Sequence, residues 1–168
     1  MPGPEPHADV SGLRIRNAVR ALVLDPAQRV LLVRFQFPDE GTRWALPGGG
    51  LEPGESDHEA LRRELVEEVG LHDPVIGPHI WNRLHIVPFV DGSHDGQRER
   101  IYLVETPTFE PAPQMTWEQL NAEYLFELRW WHVDELHDGL PFGPQDLQSQ
   151  LRWLLQHGPP NPPVDVRV

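Results

Sequence analysis

Three glutamates, Glu64, Glu67 and Glu68, lie three and four positions apart in the run Arg63-Glu64-Leu65-Val66-Glu67-Glu68. On a helix, at about 100° per residue, their carboxylates share one edge within an arc of about 100°. Like charges so placed cost about 0.2–0.5 kcal/mol per pair. A divalent cation would offset that repulsion, because hard ions such as Mg²⁺ take carboxylate and carbonyl oxygens and keep waters free for a substrate phosphate. Alone, an acidic helix edge reads as a solvated surface. The preceding loop reverses that reading: Leu46-Pro47-Gly48-Gly49-Gly50-Leu51-Glu52-Pro53-Gly54-Glu55 has four glycines that let backbone carbonyls approach a bound ion.

These residues need a helix and a frame to hold it. Ser56-Asp57-His58-Glu59 fits a capping box and Gly70 suits a left-handed C-terminal residue, which predicts a helix over Asp57–Val69. Leu61, Leu65 and Val69 form its apolar stripe, the face that meets a sheet. Arg16–Leu24 and Arg29–Phe35 are β-type runs around Asp25-Pro26-Ala27-Gln28 and read as a hairpin, followed by a loop at Pro38–Thr42. Further strands are expected over Ile80–Val90, Arg100–Glu105 and Leu128–Val133. A last helix is expected over Pro144–His157, with Leu147, Leu151, Leu154 and Leu155 at helical spacing. The order predicts an α+β fold, an α/β/α sandwich with a mixed β-sheet.

A chain of 168 residues holds one ordinary domain. Proline collects at both ends, which predicts a flexible N-terminal tail over residues 1–12, a domain over 13–157 and a Pro-rich tail over 158–168, extended or disordered. All 14 basic residues are arginine and the net charge is -12. The absent lysine removes Schiff-base chemistry and the lysine-dependent phosphate loop, and the acidic balance argues against duplex nucleic acid. With no cysteine, thiolate nucleophiles, iron–sulfur clusters and Cys-based zinc sites go together. The nine histidines are scattered without a ligand pair on one helical face, and Ser56 is better used as a cap than as a nucleophile. No secretory signal or membrane-length apolar run is visible, so a soluble cytoplasmic protein without a membrane partner is expected.

The segment Gly49–Leu71 resembles the Nudix (MutT-like) hydrolase signature: Gly, five residues, Glu, seven residues, then Arg-Glu-aliphatic-any-Glu-Glu-any-Gly-aliphatic. Gly49, Glu55, Arg63, Glu64, Leu65, Glu67, Glu68, Gly70 and Leu71 match at every defined position. The resemblance implies the Nudix fold and Mg²⁺ or Mn²⁺ bound by Glu64 and Glu68, with Glu67 ligating a metal or helping to activate water. It implies a carbonyl ligand from Gly48, and a supporting ion pair between Glu55 and Arg63 beside Gly49. Some family members deprotonate the water with a signature glutamate, others with one near the last strand, where Glu123 and Glu127 stand. The implied reaction is attack of water on one phosphorus of a nucleoside diphosphate linked to another moiety, as in a nucleoside triphosphate, a nucleotide sugar or ADP-ribose.

For substrate, Trp44 and Trp81 are candidates to stack on a base or sugar. Arg34 and Arg83, with Arg43, Arg98 and Arg100, are candidates for phosphate contacts, since arginine forks match phosphate oxygens. Trp130, Trp131 and Trp153 read as core. Many relatives are dimers, which leaves a homodimer open, with Leu128–Val133 divided between core and interface. The competing reading is a non-catalytic Nudix-like nucleotide-binding or regulatory module; such domains often lose signature acids, and this chain keeps them all. Isomerase chemistry on the same fold looks to a cysteine that this chain lacks.

Overall fold

The computed structural model describes residues 9–137 and 139–168. The first eight residues of the flexible tail expected over 1–12 lie outside them. Strands β1 (Ile15–Leu24), β2 (Arg29–Phe37), β3 (Gly41–Ala45) and β4 (Gly48–Gly50) lead into helix α1 (Asp57–Val69). Then come β5 (His79–His85), β6 (Gly96–Glu105), the short helix α2 (Trp117–Ala122) and β7 (Leu125–His132). The chain closes with β8 (Phe142–Gly143), helix α3 (Leu147–His157) and β9 (Val164–Asp165). All strands belong to one mixed sheet, ordered β8-β3-β2-β1-β6-β5-β9, with β4 also on β1 and β7 also on β2.

Strand β1 is the hub. It runs parallel to β6 over its whole length, from Ile15 opposite Gly96 to Leu24 opposite Glu105. Its two faces bury different layers, as strand alternation requires. Val19, Ala21 and Val23 pack with Leu61, Leu65 and Val69 of α1, while Leu22 and Leu24 pack with Leu147, Leu151 and Leu154 of α3. Helix α1 has the limits read from its caps: Ser56 and Glu59 exchange the capping-box bonds, and Gly70 takes φ 73°. Among the described residues, no helix is long and apolar enough to cross a membrane.

Three expectations are corrected, and one helix is added. The β1–β2 pair is a hairpin only at its turn, with Leu24 opposite Val30, because β2 otherwise pairs with β7 and β3 while β1 pairs with β6 and β4. The strand expected over Ile80–Val90 ends at His85, short of Pro88, which cannot donate to a ladder. Helix α2 has no counterpart among the expected elements; it is held by a capping box between Thr116 and Gln119. The segment 158–168 is not a loose tail. Val164 and Asp165 pair in parallel with Trp81 and Asn82, Val166 donates to the Asn82 carbonyl at 2.9 Å, and the Val166 side chain is buried in the α3 layer. Prolines keep that segment extended, and a sheet edge is where an extended proline-flanked strand is tolerated.

Candidate active site

The acidic edge is assembled by α1 lying against β4. Gly48, Gly49 and Gly50 pair with Arg20, Val19 and Ala18 of β1, so the glycine run is a strand and not a free loop. One of its glycines is sterically required and a second lets Glu64 come close. A Cβ on Gly49 would stand 2.4 Å from Glu64 Oε1, and one on Gly48, at φ 142°, would stand 2.1 Å from the Val19 carbonyl oxygen. The bare backbone is what lets the glutamates approach. Gly48 N–H donates to Glu68 Oε2 at 3.0 Å, joining strand and helix directly.

The three glutamates are not equivalent. Glu68 is buried, only 4% exposed, and burial, then the neighbouring Glu64 charge, push its carboxyl up to about 8. Burial also raises Glu64, against the pull of Arg63 and Arg20. Glu67 is the outermost, with about a third of its side chain exposed. Arg63 ties the edge to the loop. Its Nε and Nη2 donate to the two oxygens of Glu55 at 2.8 and 2.7 Å, its Nη2 also to the Gly50 carbonyl at 3.1 Å, and its Nη1 to Glu64 and Glu67 at 3.0 and 3.4 Å. The same bond holds the Glu55 carboxyl down at about 2.

The donor set is one of hard oxygens, and two of its carboxylates are held where the charged form is disfavoured, which is the chemistry a divalent cation relieves. Among the described residues no three such side chains already converge on one point, and Arg63 Nη1 stands between Glu64 and Glu67. The Gly48 carbonyl accepts from Arg20 Nη1 at 2.9 Å, which leaves it a second lone pair.

The structure separates Glu123 from Glu127. Glu123 ends α2, and Tyr124, at φ 66°, turns the chain into β7. Burial, then the Glu67 charge, raise the Glu123 carboxyl, so this residue belongs to the acidic cluster. Glu127 is instead the cross-strand partner of Arg34 at 2.8 Å, which engages both residues away from the glutamates of α1.

Trp81 and Trp44 are buried in the α3 layer, with Trp44 edge-on to Trp131 at 5.0 Å. They are core residues and offer no face to a base; Trp81 joins Ile80 in one layer because the pairing of β5 shifts between His79 and Trp81. Trp153 reverses the other way: it is 45% exposed and stacks on His157. Arg100 is engaged with Asp57. Arg83 is buried and meets Glu99.

Sequence reasoning passed over Arg16 and Arg20. Arg20 Nε reaches Glu99 at 3.2 Å while its Nη1 holds the Gly48 carbonyl. Arg16 lies over the Phe89 ring at 5.2 Å, its Nε without a partner among the described residues, and any Cβ on Gly50 would stand 2.4 Å from that Nε. Their signal was present: both occupy the parity of β1 that continues as Leu22 and Leu24, a core-facing parity on which charge is unexpected.

A mixed sheet between helices, with a glycine strand feeding an acidic helix, defines the Nudix fold. The NUDIX domain model matches residues 14–154. The RNA pyrophosphohydrolase of Rickettsia bellii is 31% identical over 132 residues, covering 74% of this chain and 79% of that protein. The nucleoside triphosphatase NudI of Enterobacter sp. is 38% identical over 74 residues; that match takes in 42% of this chain and spans about half, 48%, of the relative. In structure, the NUDIX domain of Shewanella oneidensis NrtR, crystallised with ADP ribose, matches with a TM-score of 0.60 at 21% identity, over 84% of this chain and 88% of that one. The chain belongs to the Nudix family.

Proposed function

We propose that this enzyme hydrolyses a pyrophosphate bond in a nucleoside diphosphate linked to another moiety, with Mg²⁺, or Mn²⁺, as its cofactor. The observation that carries this reading is the pairing of buried Glu68 with the Gly48 N–H, which sets Glu64, Glu67 and Glu68 against a carbonyl-bearing glycine strand. Glu64 and Glu68, with the Gly48 carbonyl, would hold the ion, and Glu67 would ligate it or help to activate water. A bound divalent ion supplies charge neutralisation at the phosphate oxygens and a lowered pKa for water. The chain's own residues do the rest. Arg63 and Glu55 hold the loop against α1. Glu123, raised by burial and by the Glu67 charge, is favoured over Glu127 to take the proton from the attacking water.

The names of the relatives support a nucleotide polyphosphate as substrate: a nucleoside triphosphatase and an RNA pyrophosphohydrolase are among them. A nucleotide sugar or an ADP-ribose-like dinucleotide fits the same chemistry. The binding-only module is disfavoured by retention of every signature carboxylate. Cytoplasmic location and the open question of a homodimer stay with this proposal; light scattering decides the latter. The test is a panel of nucleoside diphosphate derivatives with Mg²⁺ or Mn²⁺ and product identification. Turnover that stops with chelator and in Glu68→Gln supports the reading. Ligand affinity by calorimetry with no phosphate or nucleotide released from any member would replace it with the binding module.

A further inference from the structure

On the α3 side of β1, beyond the apolar layer, the sheet carries a second cluster of ionisable groups. Arg20 of β1, Arg43 of β3, Arg83 and His85 of β5, and Gln97 and Glu99 of β6 lie together there. Glu99 is fully inside. It accepts from Gln97 at 2.8 Å, from Arg20 at 3.2 Å and from Arg83 Nη1 at 3.3 Å. Burial opposes its charge, yet Arg20 and Arg83 keep the carboxyl below its usual range. Arg43 Nη1 lies 3.0 Å from His85 Nε2. Burial, then Arg83 and Arg43, push that ring down to about 4, so near neutral pH it accepts from Arg43 and adds no charge. Among the described residues three guanidinium groups therefore face one carboxylate, inside a protein of net charge -12.

Arg83 is the residue in which this excess is concentrated. It is only 5% exposed, and its Nε and Nη2 have no hydrogen-bond partner among the described residues. Those two nitrogens form one edge of the guanidinium, two parallel N–H groups at the spacing of two oxygens on one atom. The molecule shows what that edge does elsewhere. In Arg14, Arg63 and Arg100 the same Nε/Nη2 edge grips both oxygens of a carboxylate, from Asp95, Glu55 and Asp57. Arg83, far more buried than any of these, presents the edge to no partner among the described residues. A buried cation without full pairing is among the costliest features a fold can keep. Gly143 of β8 packs against this edge without a side chain of its own: a Cβ there would stand 3.1 Å from Arg83 Nη2.

We propose that the Nε/Nη2 edge of Arg83, beside Arg43 and Gly143, is a binding site for an oxyanion, a phosphate or carboxylate. Resting on the hydrolase reading above, we assign that oxyanion to the substrate, as an acidic group on the part of the molecule remote from the attacked phosphorus. Arg20 links the two places physically. Its Nη1 holds the Gly48 carbonyl beside the α1 glutamates and its Nε holds the Glu99 that orients Arg83. The charge excess favours an anion over the uncharged edge of a guanine, which the same fork could also grip.

Two arms test this on the full chain. In the first, inorganic phosphate is titrated without divalent ion at constant ionic strength, followed by calorimetry and by Tm. The wild type should bind and gain several degrees; Arg83→Lys, which keeps the charge and loses the fork, should bind at least tenfold more weakly. Gly143→Ala, which leaves Arg83 and Glu99 in place, should weaken phosphate in the same direction and decides the matter if Arg83→Lys fails to fold. In the second arm, with Mg²⁺, UDP-glucuronate is compared with UDP-glucose. Preference for the acidic sugar, expressed in KM and falling toward one in Arg83→Lys, assigns the oxyanion to substrate. Phosphate binding that depends on Arg83 without such a preference supports the site with free phosphate as its ligand. A phosphate response unchanged in both variants, or a guanine preference that tracks Arg83 with no phosphate response, overturns the proposal. Failure to hydrolyse either sugar nucleotide counts against the substrate assignment and leaves the phosphate arm to decide the site.

Discussion

The two faces of β1 carry opposite electrostatic problems. Toward α1, Glu64, Glu67, Glu68 and Glu123 gather, and burial disfavours the charge on three of them. Toward α3, Arg20, Arg43 and Arg83 gather around Glu99, the one carboxylate there among the described residues. Neither face is neutral in itself, and one side chain, Arg20, bonds to both. A fold selected for stability alone would pair these groups with one another. Keeping acids and bases apart, on opposite sides of one strand, leaves each free for a ligand of the other sign.

The largest expected effect is on the acidic side. Glu68→Gln or Glu64→Gln should lower turnover of a proven substrate by about 10³-fold, the size seen when a preorganised charge-stabilising contact is lost. Tm should hold or rise, because the amide removes the cost of burying an ionisable carboxyl that the unfolded chain would leave charged. Parent-rate hydrolysis by both variants would break the contrast between the faces at its acidic end. Next is the link itself. Arg20→Met strands Glu99 with Arg83 and Gln97 and should cost about 3 kcal/mol in urea unfolding, toward the low end for a broken buried pair because two partners remain. Little change would mean that Arg20 does not join the two clusters.

How much of this was legible in the sequence divides along the same strand. Local signals carried the acidic face: the capping box, Gly70 and the three-and-four spacing of the glutamates all act within one helix, and α1 has the bounds they imply. The basic face depends on which strands become neighbours. Arg20 and Glu99 are 79 residues apart, and no local pattern pairs them. The same limit explains the core positions of Trp44 and Trp81, and the edge strand β9, whose prolines read as a tail until β5 supplied a partner.

Smaller effects sharpen the contrast. Gly49→Ala places a methyl 2.4 Å from Glu64 Oε1, the end of a side chain that can swing aside. Stability should change by less than about 1 kcal/mol while turnover falls about tenfold, a separation that unfolding and activity assays read together. The smallest effect is on the basic side. The His85 ring titrates near 4 when folded, against 6.5 for an unperturbed ring. The unfolded chain therefore takes the proton first, and the contribution present above about pH 6.5 is lost as pH falls toward 4. Solvent screening of a partly exposed ring keeps it to about 1 kcal/mol. Tm measured across that window should fall less steeply in His85→Gln; parallel curves would show the ring to be ordinary.

Strand β9 has a practical consequence. Its partners, Trp81 and Asn82, immediately precede Arg83, so the last few residues of the chain act as a splint along the rim where that arginine is anchored. Val164→Asp would put a charge against the α3 layer and loosen the strand that carries Arg83, while the glutamates on the far side keep their own supports.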